Sequence, residues 1–69
     1  MKLSEIIDLE ERVRKKVVIP KGITDMEFRQ HLTIAITEHH RLFGNIEAYR
    51  EQNVVRYLQK EYGYKLNPL

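Results

Sequence analysis

The sequence predicts an all-α fold, three helices around one small core, with the second and third helices as an antiparallel pair. Two observations carry this expectation. Residues 24–44, TDMEFRQHLTIAITEHHRLFG, spell a complete helix with both ends marked. Apolar residues also recur at helical spacing in the segments before and after it, and short breaks separate all three.

Helix one is expected to run from Ser4, as N-cap, to about Lys16, with Ile6, Leu9, Val13 and Val17 on one face and Leu3 close to it. Ile7 falls off that stripe. Asp8 to Arg12, Glu10 to Arg14 and Glu11 to Lys15 are i,i+4 pairs in the favourable order, each contributing about 0.3 kcal/mol. Acids precede bases, which suits the helix dipole.

Val17-Val18-Ile19-Pro20-Lys21-Gly22-Ile23 breaks the helical pattern. β-branched residues before Pro and Gly favour extended chain and then a turn, so residues 17–19 are either a connector or a short strand. Helix two follows. Thr24 can accept from the amide of Glu27 while Glu27 reaches back to the amide of Thr24, a capping box. Phe28, Leu32, Ala35, Ile36, His39, Leu42 and Phe43 form its apolar stripe, and Gly44 supplies a residue suited to ending a helix. Asn45 is then expected to cap helix three, which runs to Gly63 with Ile46, Tyr49, Val54, Tyr57, Leu58 and Tyr62 facing the core and Val55 on the flank. A two-residue connection at Gly44-Asn45 would make the two helices antiparallel neighbours. The tail, residues 64–69, has apolar content for docking but no pattern that fixes its shape.

Sixty-nine residues make a single small domain, expected to span 1–69. A chain this short buries only about 60% of the surface its unfolded form exposes, and without cysteine it has no disulfide to compensate. Association is the remaining remedy, so a homo-oligomer is expected. The absence of cysteine, an acidic rather than apolar N-terminal segment and no apolar run approaching 20 residues point to a cytoplasmic protein without membrane contact.

The chemical inventory argues against an enzyme. One serine, no cysteine and three unclustered glycines provide neither an evident nucleophile nor a phosphate-cradling loop. No cofactor is implied. Glu27 and His31 lie one helical turn apart, but two candidate ligands do not define a metal site, and adjacent His39 and His40 point about 100° apart on a helix. No metal site is assigned. His39 has two readings, a core histidine bonded to a carbonyl or a tyrosine hydroxyl, or a pH-sensitive contact at a dimer interface.

Two surfaces remain as candidates. Projection at about 100° per residue gathers Gln30, Thr33, Ile34, Thr37 and Arg41 on the outer face of helix two, with Arg29 and His40 on its flank. This face is polar yet nearly free of acid. It suits either packing against another protein around Ile34, with Arg29 at the edge, or reading bases in a major groove. The second surface is a basic patch, Arg12, Arg14, Lys15, Lys16 and Lys21, within ten residues that contain no acid. Tyr49, Tyr57, Tyr62 and Tyr64 also interleave with Arg50, Arg56, Lys60 and Lys65, an arrangement that serves either single-stranded nucleic acid or a core with hydroxyls at its rim.

Arg14-Lys15-Lys16-Val17-Val18-Ile19-Pro20, and Gly44-Asn45 followed by YREQNVVRYLQKEY, resemble the ribbon and the capped second helix of the ribbon–helix–helix DNA-binding fold. The resemblance covers about a third of the chain and departs from the family in having a helix before the ribbon and a longer following helix. It implies a dimer with paired ribbons, Arg14, Lys16 and Val18 towards bases and the cap at Asn45 towards phosphate. Two expectations therefore stand. The first is a non-enzymatic regulatory module that binds a protein through Arg29, Gln30, Thr33, Ile34, Thr37 and Arg41. The alternative is a dimeric regulator that binds double-stranded DNA.

Overall fold

A computed structural model describes residues 3–44 and 50–68. In chain order its elements are α1 (Leu3–Lys16), β1 (Val17–Val18), α2 (Asp25–Phe43), α3 (Glu51–Tyr62) and β2 (Lys65–Leu66). The expected three helices are present, and α2 and α3 pack as an antiparallel pair. Early α2 meets late α3 where His31 stacks on Tyr62, with ring centroids 3.9 Å apart. Later in α2, His39 meets Tyr57 edge-on at 5.6 Å.

The core takes side chains from every element but β2. Leu9 and Val13 enter from α1, Val17 from β1, Phe28, Leu32 and Ala35 from α2, Val54, Val55 and Leu58 from α3, and Tyr64 from the tail. Burying each large one stabilises by about 1.5–3 kcal/mol. No charged or polar residue is buried among the described residues.

The extended alternative for the break is the one realised. Val17 and Val18 pair antiparallel with Leu66 and Lys65, and the Asn67 amide donates to the Lys16 carbonyl at 2.8 Å. The chain then turns through Pro20-Lys21-Gly22-Ile23. The Ile23 amide bonds the Pro20 carbonyl at 3.2 Å, and Gly22 takes the positive φ of 94° that this turn requires. Thr24 and Glu27 form the reciprocal capping box at the start of α2.

Four expectations need correction. Ser4 is not an N-cap, because α1 already includes Leu3, so Ser4 sits inside the first turn. The described α3 starts at Glu51, since Arg50 is extended (φ −75°, ψ 124°) and acts as its cap residue. The expectations for Asn45, Ile46 and Tyr49, and for the length of the connection, lie outside the described residues. Leu42 and Phe43 are exposed at 57% and 61% rather than core. They border a groove shared with Arg56, Tyr57 and Lys60 of α3 instead of entering the core. Finally, Val55 is buried rather than flanking, because α3 packs against α1 as well as α2.

The tail acquires its shape from Gly63. This residue adopts the left-handed conformation (φ 71°, ψ 20°), donates to the Gln59 carbonyl and redirects the chain. Tyr64 is thereby carried to 2% exposure, edge-on to Phe28 at 5.9 Å, with its hydroxyl 2.7 Å from His31 Nδ1. Burial, with smaller contributions from Glu27 and Tyr62, raises the Tyr64 pKa above the ordinary phenol value of 10.0. Burial is also the largest cause of the upward shift at Tyr57.

Tyr64→Ala is expected to cost about 3–5 kcal/mol in urea unfolding and Tyr64→Phe only about 1 kcal/mol, because the second change keeps the ring and removes one hydrogen bond. The raised phenols add a pH dependence. Folding favours their neutral form, so stability is complete below the unfolded phenol value of 10.0 and falls as pH rises through the higher folded values. A Tyr57→Phe/Tyr64→Phe variant should flatten that alkaline decline in melting temperature.

Candidate functional site

The outer face of α2 is where the sequence projection places it, and its polar groups are largely satisfied within the protein. The Thr33 hydroxyl donates to the Arg29 carbonyl and the Thr37 hydroxyl to the Thr33 carbonyl, both at 2.8 Å. Each threonine thus turns its hydroxyl into its own helix. Arg29 Nε bonds Glu10 Oε1 at 2.9 Å, and Arg41 Nη2 bonds Glu38 Oε2 at 2.8 Å. The Arg41 hydrogen bond is the main reason the Glu38 carboxyl lies below its ordinary value. Gln30 is exposed. Ile34 is 44% exposed in the same surface. The face therefore has less open hydrogen-bonding capacity than its residue types imply.

Two neighbouring features escape the sequence projection. Met26, 70% exposed, extends the row Gln30, Thr33 and Thr37 by one turn at i−4 from Gln30. Carrying the helical projection one turn towards the N-terminus finds it. The second is a groove of about 350 Å³ between α1 and α2, lined by Leu3, Ile6, Ile7, Glu10 and Arg29. Ile7, set aside as off the stripe, forms one lip of it. The signal for this groove is the i,i+4 spacing of Leu3 and Ile7, which gives α1 a second, shorter apolar row. Arg29 belongs to both the groove and the outer face of α2, making the two continuous.

The basic patch reads differently in three dimensions. Arg12 pairs with Asp8 at 3.0 Å and reaches Glu51 at 3.8 Å, and Lys16 pairs with the same Glu51. Arg14 pairs with Asp25 at 3.2 Å and Glu10 at 3.8 Å, while its guanidinium lies 4.6 Å from the Phe28 ring centre. Most of these acids come from α2, α3 and the first half of α1, beyond the acid-free stretch that defines the patch in sequence. Lys15 and Lys21 are exposed. Residues 14–16 are the last turn of α1 rather than a strand, so Arg14, Lys16 and Val18 do not form the alternating face that the ribbon resemblance implies. The two residues that are extended pair with β2 of the same chain.

The histidines have structural partners. His39 Nδ1 donates to the Ala35 carbonyl at 2.9 Å, the core-histidine arrangement. His31 is held by Tyr64 and Tyr62, and the Glu27 carboxylate engages Thr24. Among the described residues, no three His, Cys, Asp or Glu side chains gather as a metal site. None of their helices is long and apolar enough to cross a membrane. Comparison with family models, curated proteins and solved structures gives no significant match to this chain.

The Glu10–Arg29 bridge joins α1 to α2 at an exposed edge, with the arginine side chain 66% and the glutamate 14% accessible. A double-mutant cycle on the pair should give a coupling of about 0.2–1 kcal/mol, falling as salt rises. A coupling near zero at low salt would contradict the bridge.

Proposed function

We propose that this protein is a small non-catalytic regulatory module that binds another protein through the outer face of α2. Ile34 lies at the centre of the contact, with Arg29, Gln30, Thr33, Thr37 and Arg41 around it. The supporting observation is the internal satisfaction of that face. Both threonine hydroxyls bond their own helix and both arginines sit in ion pairs. A surface of this kind loses little hydration when covered, and the exposed Ile34 and Met26 gain from burial.

The same observation weighs against the DNA-binding alternative. Phosphate recognition needs cations free to displace counterions, and base reading needs free donors and acceptors in the groove. Arg12, Arg14, Lys16, Arg29 and Arg41 each have an acidic partner within the chain. A protein partner that meets Ile34 and leaves these pairs intact requires no such rearrangement.

The test is capture from an extract of the source cells by immobilised wild-type protein and by the Ile34→Glu/Thr37→Glu variant. The variant should keep its helicity and melting temperature, because both side chains are exposed, and should lose the captured protein. Equal retention by the variant would remove this face from the account.

A further inference from the structure

A second surface lies at the other end of the α2–α3 pair. Glu38, His39, Leu42 and Phe43 of α2 and Arg56, Tyr57, Lys60 and Glu61 of α3 enclose a groove of about 550 Å³. Its lip is apolar, since Leu42 and Phe43 are the exposed last turn of α2, and His39 and Tyr57 meet in its floor. One wall carries Arg56 and Lys60, two exposed cations at i,i+4 on α3. Like charges at that spacing oppose each other by about 0.2–0.5 kcal/mol, so this pair does not serve the stability of the isolated helix. Among the described residues neither makes an ion pair, in contrast to the arginines of α1, and of the two acids lining the groove Glu38 is already held by Arg41.

The complementary shape is in the same chain. The first half of α1, residues 3–11, carries Glu5, Asp8, Glu10 and Glu11 and no base. It exposes Leu3 at 71% and Ile7 at 48%, with Glu11 continuing that row at the next i,i+4 step. Two apolar side chains followed by a carboxylate match an apolar lip followed by two cations, none of the three charges being paired among the described residues.

We propose that the protein self-associates by seating the acidic first half of α1 from one copy in the Leu42–Phe43 groove of another, with Arg56 and Lys60 facing Glu11. Reciprocal seating closes a twofold dimer. The contact uses neither Ile34 nor Thr37, so it stands or falls separately from the docking face on α2.

Charge exchange tests it on the full chain by light scattering and sedimentation. Wild-type protein should be a dimer at micromolar concentration. Arg56→Glu/Lys60→Glu makes the groove wall that faces Glu11 acidic, and Glu5→Lys/Glu11→Lys sets new cations of the seated helix against Arg56 and Lys60. Each variant alone should lose self-association by roughly tenfold or more while keeping its melting curve. Mixing the two matches both interfaces and should restore a heterodimer. Dilution of isotope-labelled wild-type protein gives a readout that needs no variant, with amide shifts expected at 3–11 and at 38–43 and 56–61. A wild-type monomer throughout, undiminished association in both variants, or shifts confined elsewhere would overturn the proposal.

Discussion

The contact between Phe28 and Tyr64 holds the remaining parts in register. Phe28 is the largest fully buried side chain among the described residues, and it receives Tyr64 edge-on from the tail and the Arg14 guanidinium from α1. Edge-to-face aromatic pairs add about 0.5–1.5 kcal/mol beyond their buried area, and a cation over a ring contributes further. The geometry matters more than the sum. Tyr64 reaches Phe28 only because Gly63 turns the chain, and the same turn lays Lys65 and Leu66 beside Val17 and Val18. Three helices alone would leave Phe28 open on the tail side. A single aromatic contact thus joins α1, α2, the break and the C-terminus in a chain too short for a large core.

The charged groups serve the same closure. Glu10 and Glu51, with side chains 14% and 17% exposed, each hold two cations. Glu10 gathers Arg14 from its own helix and Arg29 from α2, and Glu51 gathers Arg12 and Lys16 across the α1–α3 contact. Three of the five bases in the segment that reads as a basic patch thereby pair with acids, while staying at the surface. The proposed contacts lie where apolar groups are exposed: Ile34 and Met26 on α2, Leu3 and Ile7 on α1, Leu42 and Phe43 at the end of α2.

Much of this was legible in the sequence because it rests on local signals. The capping box at Thr24 and Glu27, the core spacing of Leu9, Val13, Phe28, Leu32, Val54 and Leu58, and the left-handed Gly63 each depend on residues within a few positions. The outer face of α2 was legible for the same reason, since helical projection alone assembles it. What escaped depends on distant partners. The strand at 17–18 exists because residues 65–66 return to it, and Tyr64 is core because of His31 and Phe28. Beyond the local pairs with Asp8 and Glu10, the partners of Arg14 and Lys16 are Asp25 and Glu51, 11 and 35 residues away. Charge density along a sequence does not report charge density on a surface.

That last distinction carries the functional account, in which the bases of this chain hold its helices together and its exposed face meets protein. The most direct measurement is a titration of a fluorescent random duplex of about 30 base pairs with the purified protein at about 50 and about 200 mM salt. Phosphate-dominated binding loses orders of magnitude in affinity across that range. The account predicts no tight binding at either salt, because Arg12, Arg14 and Lys16 already have acidic partners. Tight binding at low salt with a steep loss at high salt would contradict it and return Arg14 and Lys16 to the centre of a DNA-binding surface.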